Sequence, residues 1–420
     1  MKIYFVSSLY WPVTVGGAEQ SLQTLAEAMV AMGHSVVVNT LTPRDSELAT
    51  DEIHRGVHIR RTPLANLYWP WHANVERTSV AKAIWHSIDA NNPVMTRHLA
   101  QHIRTIDPDI IVTTNLQGWS TAGIPKLIDL GYPVIHTIND YSLVCPQTSL
   151  FRDGSRCGMQ TKRCLSCKVL SVQKRVHTQG VHGVVGVSQS VLDFHTAHGL
   201  FAHTSSNVIY NPLKPDLDVG HTPRQSPSTP FCFGYLGRVE KQKGIETLLQ
   251  AVAILREQSN SFRVVVAGNA PDPSYLDRIN QTWSMPEVEF VGFTPASTLL
   301  EKLDCLIFPT LGLEALGNSV FEAFSRGLPV IGSDAGGIPE TINHGENGFV
   351  FNRNDPHALA HYMQRIMQAD DAYRVLSTAA LRKAHEYLPP KRAREHIDFY
   401  RQIVRHHYAA ARADTVEIDG

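Results

Sequence analysis

Residues 231–255 read FCFGYLGRVEKQKGIETLLQAVAIL, in which an apolar run ends at Gly237 and an amphipathic stretch begins after Gly244. A short apolar run followed by a glycine turn and a helical pattern is typical of a strand–helix unit in a parallel sheet. Similar apolar runs follow at 263–267, 288–291, 305–309 and 329–332. We therefore predict an α/β domain over residues 231–388.

The first half of the chain shows the same alternation. An apolar run at residues 3–7 precedes a turn at Gly16 and Gly17, and an amphipathic helix then extends to Gly33. Further apolar runs lie at 110–113, 133–137 and 184–187. The alternation predicts a second parallel α/β domain over residues 1–213.

The segment between the two halves has a different composition. Residues 211–230 contain five prolines and few large apolar side chains, which predicts an exposed, semi-rigid linker over residues 214–230. A chain of 420 residues is long enough for two separate cores. Stacked parallel sheets bind ligands at the carboxyl ends of their strands, so we expect the functional residues to face a central crevice.

Charge and cysteine content exclude several classes of protein. Lys and Arg (38) nearly balance Asp and Glu (39), so we predict no nucleic-acid partner. Ser7, Ser8 and Pro12 interrupt the N-terminal apolar run, and no apolar stretch reaches the roughly 18 residues of a spanning helix. Six cysteines are too few for a disulfide scaffold in a chain of this length. These features predict a cytoplasmic protein.

Two cations lie where a phosphate site is expected. Arg238 follows the apolar run at 231–236, and Lys243 precedes the helix that starts at residue 245. A guanidinium, an ammonium and the free N–H groups of a helix N-terminus together suit a diphosphate. A solvated basic loop is the alternative interpretation.

A second dense segment, residues 314–337, reads EALGNSVFEAFSRGLPVIGSDAGG. Seven residues separate Glu314 from Glu322, and a turn at Gly317 and Asn318 leads into a helix that opens at Ser319. A carboxylate in the first helical turn accepts hydrogen bonds from ribose hydroxyls, and the helix N-terminus binds a diphosphate. Glu322 also lies three residues after Ser319, which matches a capping box that requires no ligand.

The chain resembles the retaining nucleotide-sugar glycosyltransferases of family four along nearly its whole length. The resemblance is carried, in chain order, by Gly16-Gly17-Ala18-Glu19, Gly33-His34, Asn211, Gly237-Arg238, Lys243-Gly244, the Glu314/Glu322 pair, Gly336-Gly337 and Glu340. It implies the GT-B fold, in which two Rossmann-like domains face a central crevice and the final stretch 389–412 packs back on the N-terminal domain. It also implies transfer of a sugar, with retention of anomeric configuration, from a UDP- or GDP-sugar to a hydroxyl acceptor in polysaccharide, glycolipid or other glycoconjugate synthesis.

The same resemblance implies a role for each matched residue. Arg238 and Lys243 neutralise the departing diphosphate, and Glu314 faces the transferred sugar as the third catalytic residue. Donor binding is assigned to Gly16, Gly17, Asn139, Gly317, Asn318, Ser319 and Glu322, of which Glu322 holds the ribose. Preorganised cations and N–H dipoles stabilise the charge that develops on the leaving oxygen. No cofactor and no divalent metal are therefore expected for catalysis.

The sequence departs from the family at Asn139, where many members have a histidine followed by an aspartate. Asn139 is followed by Asp140 and Tyr141. An amide hydrogen-bonds a sugar hydroxyl but cannot carry a proton, which argues against a general base at this position. His136 lies three residues earlier along a predicted strand, so its side chain should point to the opposite face.

Four of the six cysteines form a cluster. They are Cys145, Cys157, Cys164 and Cys167, in a segment that we treat as an insertion at 145–167 of the N-terminal domain. The final Cys-x-x-Cys has the reach of a zinc knuckle, and four thiolates around zinc would stabilise an otherwise unsupported loop. Structural zinc and four reduced, unligated cysteines both remain open interpretations, with an iron–sulfur cluster or a disulfide pair behind them.

Basic and aromatic residues suggest where an acceptor binds. Lys162, Arg163, Lys168, Lys174 and Arg175 surround the cysteines, and residues 68–71 read YWPW. Either group suits an anionic or lipid-linked acceptor, which would place the protein peripherally on the inner face of a membrane. A solvated basic face and ordinary core aromatics are the alternatives.

Three other functions are alternatives to sugar transfer. A nucleotide-sugar epimerase would need acid and base groups around the sugar, and a nucleotide-sugar-binding protein without turnover would need only the donor contacts. A dinucleotide oxidoreductase is disfavoured, because residues 11–19 lack the Gly-x-Gly-x-x-Gly spacing. The Glu314/Glu322 pattern favours transfer.

Overall fold

The computed structural model describes residues 1–71, 75, 77–146, 148, 150–152, 154–157, 165–215, 217, 220–259 and 261–418. Contacts divide the chain into two compact units. Unit 1 comprises Met1–Ser149, Gly158–Pro212 and Pro389–Gly420, and unit 2 comprises Leu150–Cys157 and Leu213–Leu388. No helix within the described ranges is both long and apolar enough to span a bilayer.

The strands in chain order are β1 (Lys2–Ser7), β2 (Ser35–Thr42), β3 (Asp51–His54), β4 (Val57–Pro63), β5 (Ile110–Thr114), β6 (Val134–Ile138), β7 (Phe151–Arg152), β8 (Ser155–Arg156), β9 (Gly183–Gly186), β10 (Ser205–Val208), β11 (Phe231–Leu236), β12 (Phe262–Ala267), β13 (Val288–Gly292), β14 (Cys305–Phe308), β15 (Val330–Ser333) and β16 (Gly348–Phe351). The sheet of unit 1 has the order β10-β9-β6-β5-β1-β2-β4-β3, and that of unit 2 has the order β13-β12-β11-β14-β15-β16. Neighbouring strands of both sheets pair in parallel, apart from the antiparallel edge pair β3–β4.

The helices are α1 (Gly17–Ala31), α2 (Ser79–Ala90), α3 (Pro93–Ile106), α4 (Gly123–Asp129), α5 (Leu165–Thr178), α6 (Gln189–Ala197), α7 (Ile245–Arg256), α8 (Pro273–Thr282), α9 (Ala296–Leu300), α10 (Asn318–Phe324), α11 (Ile338–Thr341), α12 (Pro356–Met367), α13 (Asp370–Ala384) and α14 (Pro389–Ile418). Short 3₁₀ turns lie at Lys241–Lys243 and His385–Tyr387. The alternation of strands and helices is the predicted α/β pattern, because buried parallel strands read as short apolar runs.

Each unit has its own core. In unit 1 the strand residues Ile3 and Phe5 pack with Met29 of α1 and with Ile397 and Tyr400 of α14. This burial explains why contacts group the last helix with the rest of unit 1. In unit 2 the side chains of β11, β12, β14 and β15 pack against the inner faces of α7 and α12.

The predicted linker is not a free segment. The guanidinium of Arg224 donates hydrogen bonds to the carbonyl oxygens of Leu303 (2.7 Å), Leu300 (3.1 Å) and Arg326 (3.2 Å). The N–H of Ser228 donates to Asp304 Oδ1 at 3.0 Å. The unit boundary falls between Pro212 and Leu213, and the proline-rich chain after it is bonded onto unit 2.

The hairpin β7–β8 also differs from the expectation, since the whole insertion 145–167 was assigned to the N-terminal domain. Contacts place Leu150–Cys157 in unit 2. Gly154, with φ +77°, lies against Lys241, and a Cβ there would come within 2.9 Å of Lys241 Nζ. The hairpin therefore rests on the 3₁₀ turn that carries Lys243, a contact between segments far apart in sequence.

Candidate functional site

Arg238 lies at the carboxyl end of β11, on a loop held by backbone contacts. The N–H of Gly237 donates to the carbonyl of Ala267 at 3.0 Å, and Gly268, with φ +145°, has no room for a Cβ beside the Gly237 carbonyl. The buried hydroxyl of Tyr235 donates to the Arg238 carbonyl at 2.6 Å. The Arg238 side chain is 59% exposed, with Nη2 3.1 Å from Glu240 Oε1. The backbone is thus rigid, while the guanidinium faces solvent.

Lys243 and Glu314 form an ion pair. Lys243 ends the 3₁₀ turn, and its Nζ lies 2.6 Å from Glu314 Oε2. Both side chains are largely buried, with 23% and 21% of their area exposed. A short, charge-assisted contact with this burial is stronger than a solvated surface pair. The structure therefore brings together two of the three predicted catalytic residues.

The loops that carry this pair are joined through one carbonyl group. The carbonyl oxygen of Gln242 accepts hydrogen bonds from the N–H groups of Leu311 (2.9 Å) and Gly312 (3.0 Å) and from Thr310 Oγ1 (3.1 Å). Residues 310–312 follow β14, and Gln242 follows β11, its neighbour in the sheet. The distance between Lys243 and Glu314 is therefore set by the parallel pairing of β11 and β14.

Gly244 permits the close approach of these two loops, and we expect Gly244→Ala to damage both stability and activity. Gly244 has φ +74°, and a Cβ would collide with the carbonyl oxygen of Pro309. The left-handed conformation alone costs a non-glycine residue about 1–2 kcal/mol, and displacement of the Pro309 loop adds to that cost. We expect a free energy of unfolding lower by about 3 kcal/mol or more, measured by urea denaturation.

Gly345→Ala is the matched control for this substitution. Gly345 lies in the same unit with φ +84°, and a Cβ there would meet no atom within 4 Å. This control measures only the cost of the left-handed conformation. Its free energy of unfolding should fall by about 1–2 kcal/mol, and its transferase activity should be unchanged. Equal losses in the two variants would contradict the role of the Pro309 contact.

Glu314 and the start of α10 are positioned by glycines. The N–H of Gly337 donates to the Glu314 carbonyl at 2.9 Å, and Gly336, with φ +58°, has no room for a Cβ beside that carbonyl. Gly317 is the N-cap of α10, with φ +84°, and the helix starts at Asn318. Ser319 is therefore inside the helix, and the alternative that Ser319 and Glu322 form a capping box is wrong. The donor-binding roles of Gly317, Asn318 and Ser319 remain predictions.

Glu322 is paired with a lysine that the sequence did not identify. Its side chain is 5% exposed, and Oε1 lies 2.8 Å from Lys214 Nζ. A buried carboxylate requires a countercharge or hydrogen bonds, because desolvation penalises its ionised form. Lys214 is held nearby because the N–H of Leu213 donates to the Tyr387 carbonyl at 2.7 Å and the Tyr387 ring stacks on Phe321. Nothing in the local sequence marks Lys214, which was assigned to the linker.

Gly16 and Gly17 lie at the start of α1 in unit 1. Gly16 has an extended backbone (φ −146°) and is the N-cap. Its N–H donates to Glu19 Oε2 at 2.8 Å. Burial raises the pKa of the Glu19 carboxyl, although the hydrogen bond from Gly16 opposes the shift. The N–H that was predicted to bind a donor phosphate thus has a carboxylate partner here, and the roles of both glycines remain predictions.

Asn139 follows β6, and its Nδ2 donates to Thr114 Oγ1 on β5. His136 instead lies 2.9 Å through Nδ1 from the hydroxyl of Thr113. Thr113 and Thr114 are consecutive strand residues, so the two pairs lie on opposite faces of the sheet, in agreement with the predicted alternation. Burial lowers the pKa of the His136 imidazole to about 3, which keeps the ring neutral.

Asn139 also lines a small pocket of about 20 Å³ within unit 1. Its polar lining residues are Ser21, Thr114, Thr137, Asn139, Asn211 and His396. Burial lowers the pKa of His396 to about 3, so this side chain is neutral at physiological pH. The lining offers hydroxyl, amide and neutral imidazole groups, and a pocket of this size holds about one water molecule.

Three of the four clustered cysteines are among the described residues. Cys145 is buried, Cys157 and Cys167 are partly exposed, and none of these three is in a disulfide. Cys164 lies outside the described residues. Within the ranges that are described, no three His, Cys, Asp or Glu side chains are grouped to hold a metal. Structural zinc bound by all four cysteines remains a prediction.

Two family models match the chain in tandem. The model described as Glycosyltransferase Family 4 matches residues 15–217, and the model described as Glycosyl transferases group 1 matches residues 221–383. The point between them lies close to the boundary of the two units at Pro212 and Leu213. The tandem match therefore follows the division of the structure.

One relative matches most of the chain, and another matches just under half of it. An uncharacterized 42.6 kDa protein in the cps region of Klebsiella pneumoniae is 30% identical over 340 residues, which cover 81% of this chain and 87% of that protein. The putative colanic acid biosynthesis glycosyltransferase WcaL of Escherichia coli K12 is 26% identical over 200 residues, which cover 45% and 46% of the two chains.

Solved structures share the fold. Sucrose-phosphate synthase from Thermosynechococcus elongatus superposes with a TM-score of 0.74 at 19% identity, covering 96% of this chain and 99% of the other. Anabaena HepE in complex with UDP superposes with a TM-score of 0.69 at 17% identity, covering 96% and 100%. The tandem family models and the long match to the Klebsiella protein agree with the Lys243–Glu314 pair. This chain therefore belongs to glycosyltransferase family 4 and has the GT-B fold.

Proposed function

We propose that this glycosyltransferase moves a hexose from a UDP- or GDP-sugar to a hydroxyl acceptor, with retention of anomeric configuration. The observation that carries the proposal is the largely buried Lys243–Glu314 pair at the carboxyl edge of the unit 2 sheet, close in sequence to Arg238. Cleavage of a glycosyl phosphate bond builds negative charge on the leaving oxygen, which fixed cations stabilise. Lys243 and Arg238 supply that charge, so we propose that catalysis needs no divalent metal.

The contacts of Glu314 support retention without a covalent intermediate. Its Oε2 is occupied by Lys243 at 2.6 Å, which suits a carboxylate that orients sugar hydroxyls better than one that attacks a carbon. We propose that the departing phosphate accepts the proton of the incoming hydroxyl on the same face of the sugar. The Asn139 amide is not basic, and burial lowers the pKa of His136 to about 3, so its imidazole is too weak a base to take this proton.

The names of relatives guide the choice of donor and acceptor. Anabaena HepE has been solved with UDP and with UDP-glucose. Other relatives are named as glycosyltransferases of amylovoran biosynthesis in Erwinia amylovora and of capsular polysaccharide biosynthesis in Staphylococcus aureus. We therefore propose a UDP-hexose as donor and an acceptor in polysaccharide synthesis. An acceptor built on a lipid carrier would place the enzyme peripherally on the inner face of the membrane.

Labelled UDP-, GDP- and ADP-hexoses, each with and without a hydroxyl acceptor, would test the proposal. We expect nucleotide release that depends on the acceptor, and NMR of the product should show the anomeric configuration of the donor. EDTA should leave the rate unchanged. A product of inverted configuration would contradict the mechanism, and a donor that is epimerised without transfer would favour the isomerase alternative.

A further inference from the structure

Exposed apolar side chains are concentrated on two helices of unit 1. Sixteen large apolar side chains are exposed in the described part of the chain, and five of them lie on α2 and α5. They are Val80 and Ile84 on α2 and Val169, Val172 and Val176 on α5, each between 47% and 68% exposed. Residues spaced by three, four or seven lie on one face of a helix. Each set therefore forms a stripe, unlike the isolated exposed residues that are normal on a protein surface.

The two stripes face outwards from neighbouring helices. Helix α2 contacts α5, and their inner faces bury Trp85 and Asp89 of α2 and Ser171 of α5. Lys174 of α5 acts electrostatically on Asp89, which places these charged groups on the inner side of the pair. Since the inner faces are occupied by these contacts, the apolar stripes remain on the solvent side of both helices.

The loop before α2 carries further exposed apolar side chains. Trp85 Nε1 donates to the Tyr68 carbonyl at 2.9 Å, which ties the loop to the helix. Leu67 next to it is 54% exposed, and the partly exposed rings of Trp69 and Trp71 pack edge to face with centroids 4.8 Å apart. Tryptophan side chains of this kind are enriched where protein meets the headgroup region of a bilayer.

The charge on the two helices is mainly positive. Helices α2 and α5 carry four Lys and Arg residues, Lys82, Lys168, Lys174 and Arg175, and one acidic residue, the buried Asp89, although the whole chain has a formal net charge of −1. Lys82 of α2 and Lys168 of α5 are exposed. Apolar stripes on surface helices with nearby basic residues bind anionic lipid surfaces, and each lysine near such a surface adds to the attraction.

We propose that the α2–α5 face, formed by Val80, Ile84, Val169, Val172 and Val176 with Lys82 and Lys168, is a docking surface for an anionic lipid bilayer. The helices lie in the headgroup region with their apolar stripes inserted, and the lysines contact lipid phosphates. The link to a lipid-linked acceptor rests on the proposed function, whereas the docking itself follows from the exposed stripes and the charge.

Flotation of the full-length protein with lipid vesicles tests the surface. We expect the protein to float with vesicles of phosphatidylcholine and phosphatidylglycerol in equal parts, and to float less with phosphatidylcholine alone. Val169→Ser combined with Val176→Ser should lower the vesicle partition coefficient by about tenfold or more, because two inserted apolar side chains are lost. Lys82→Gln combined with Lys168→Gln should lower it by about tenfold on the anionic vesicles alone.

The matched control is Ile53→Ser combined with Val375→Ser. These residues are 75% and 66% exposed, on β3 and α13, outside the proposed face. The control should float like the wild type, and thermal unfolding should confirm that all variants are folded. A wild type that stays unbound at low salt would overturn the proposal, as would equal flotation of the valine variant and the control. UDP binding by calorimetry and transfer to a soluble acceptor are measured separately, so failure of docking and failure of the proposed function are distinguishable.

Discussion

Lys243→Ala is expected to lower kcat for sugar transfer by about 10²-fold or more. Loss of one preorganised group that stabilises developing charge typically costs this much, and Lys243 is held 2.6 Å from Glu314 in a largely buried position. The substitution also leaves the Glu314 carboxylate without its countercharge, which adds repulsion towards the diphosphate of the donor. Steady-state rates of nucleotide release with saturating donor measure the effect.

Lys302→Ala is the control for this experiment. Lys302 precedes β14 (Cys305–Phe308), so it lies at the amino edge of the sheet, whereas Lys243 lies at the carboxyl edge. The control removes one lysine from the same unit and should keep the wild-type rate. Near-normal turnover of the Lys243 variant would refute the assignment of leaving-group stabilisation to this residue.

Glu322→Gln is expected to raise the Kd for the nucleotide by about tenfold to a hundredfold, because a hydrogen bond to a charged group contributes about 1.5–3 kcal/mol. Glutamine keeps the volume of the side chain but replaces one acceptor oxygen with an NH₂ donor and removes the negative charge, so two ribose hydroxyls no longer face two anionic oxygens. It also leaves the ammonium of Lys214 without its countercharge at 2.8 Å. Calorimetric titration with UDP and GDP measures the change.

The Lys214–Glu322 pair is tested by a double-mutant cycle with Lys214→Met. The two substitutions should be non-additive, since each removes the partner of the other. Glu301→Gln is the matched control, because Glu301 lies on the exposed end of α9 at the amino edge of the sheet. Unchanged nucleotide affinity in the Glu322 variant would contradict its role at the ribose.

Local sequence patterns predicted the fold well. The apolar run at 3–7 is β1, the run at 110–113 lies within β5, and the helix predicted from residue 245 is α7. These elements are predictable because a strand that is buried on both faces needs a continuous apolar run, and a helix needs apolar residues at its own spacing. The start of α10 was wrong by one residue, since Gly317 caps the helix through backbone conformation.

Local sequence patterns did not predict which residues of the site contact one another. Arg238, Lys243, Glu314 and Glu322 were identified from their motifs, but Lys214, the ion-pair partner of Glu322, was not assigned a role. In unit 1, Gly16 was identified, but its hydrogen-bond partner Glu19 was not assigned a role. The hairpin at 150–157 was likewise assigned to the wrong half of the chain. These contacts and the placement of the hairpin depend on which segments of the chain lie close together in the folded structure.

The sequence alone therefore predicted the order of strands and helices and the positions of the cations, because both follow from apolar periodicity and glycine turns. The pairing of Lys243 with Glu314 was settled by the strand order β12-β11-β14-β15, which places loops from non-consecutive strands side by side. The pairing of Lys214 with Glu322 was settled by the hydrogen bond from Leu213 to Tyr387 and the stacking of Tyr387 on Phe321. Burial then gives those pairs their strength, since desolvation makes a carboxylate such as Glu322 depend on its countercharge. Neither proximity nor desolvation is encoded in residue spacing, and both arise only when the sheet has formed.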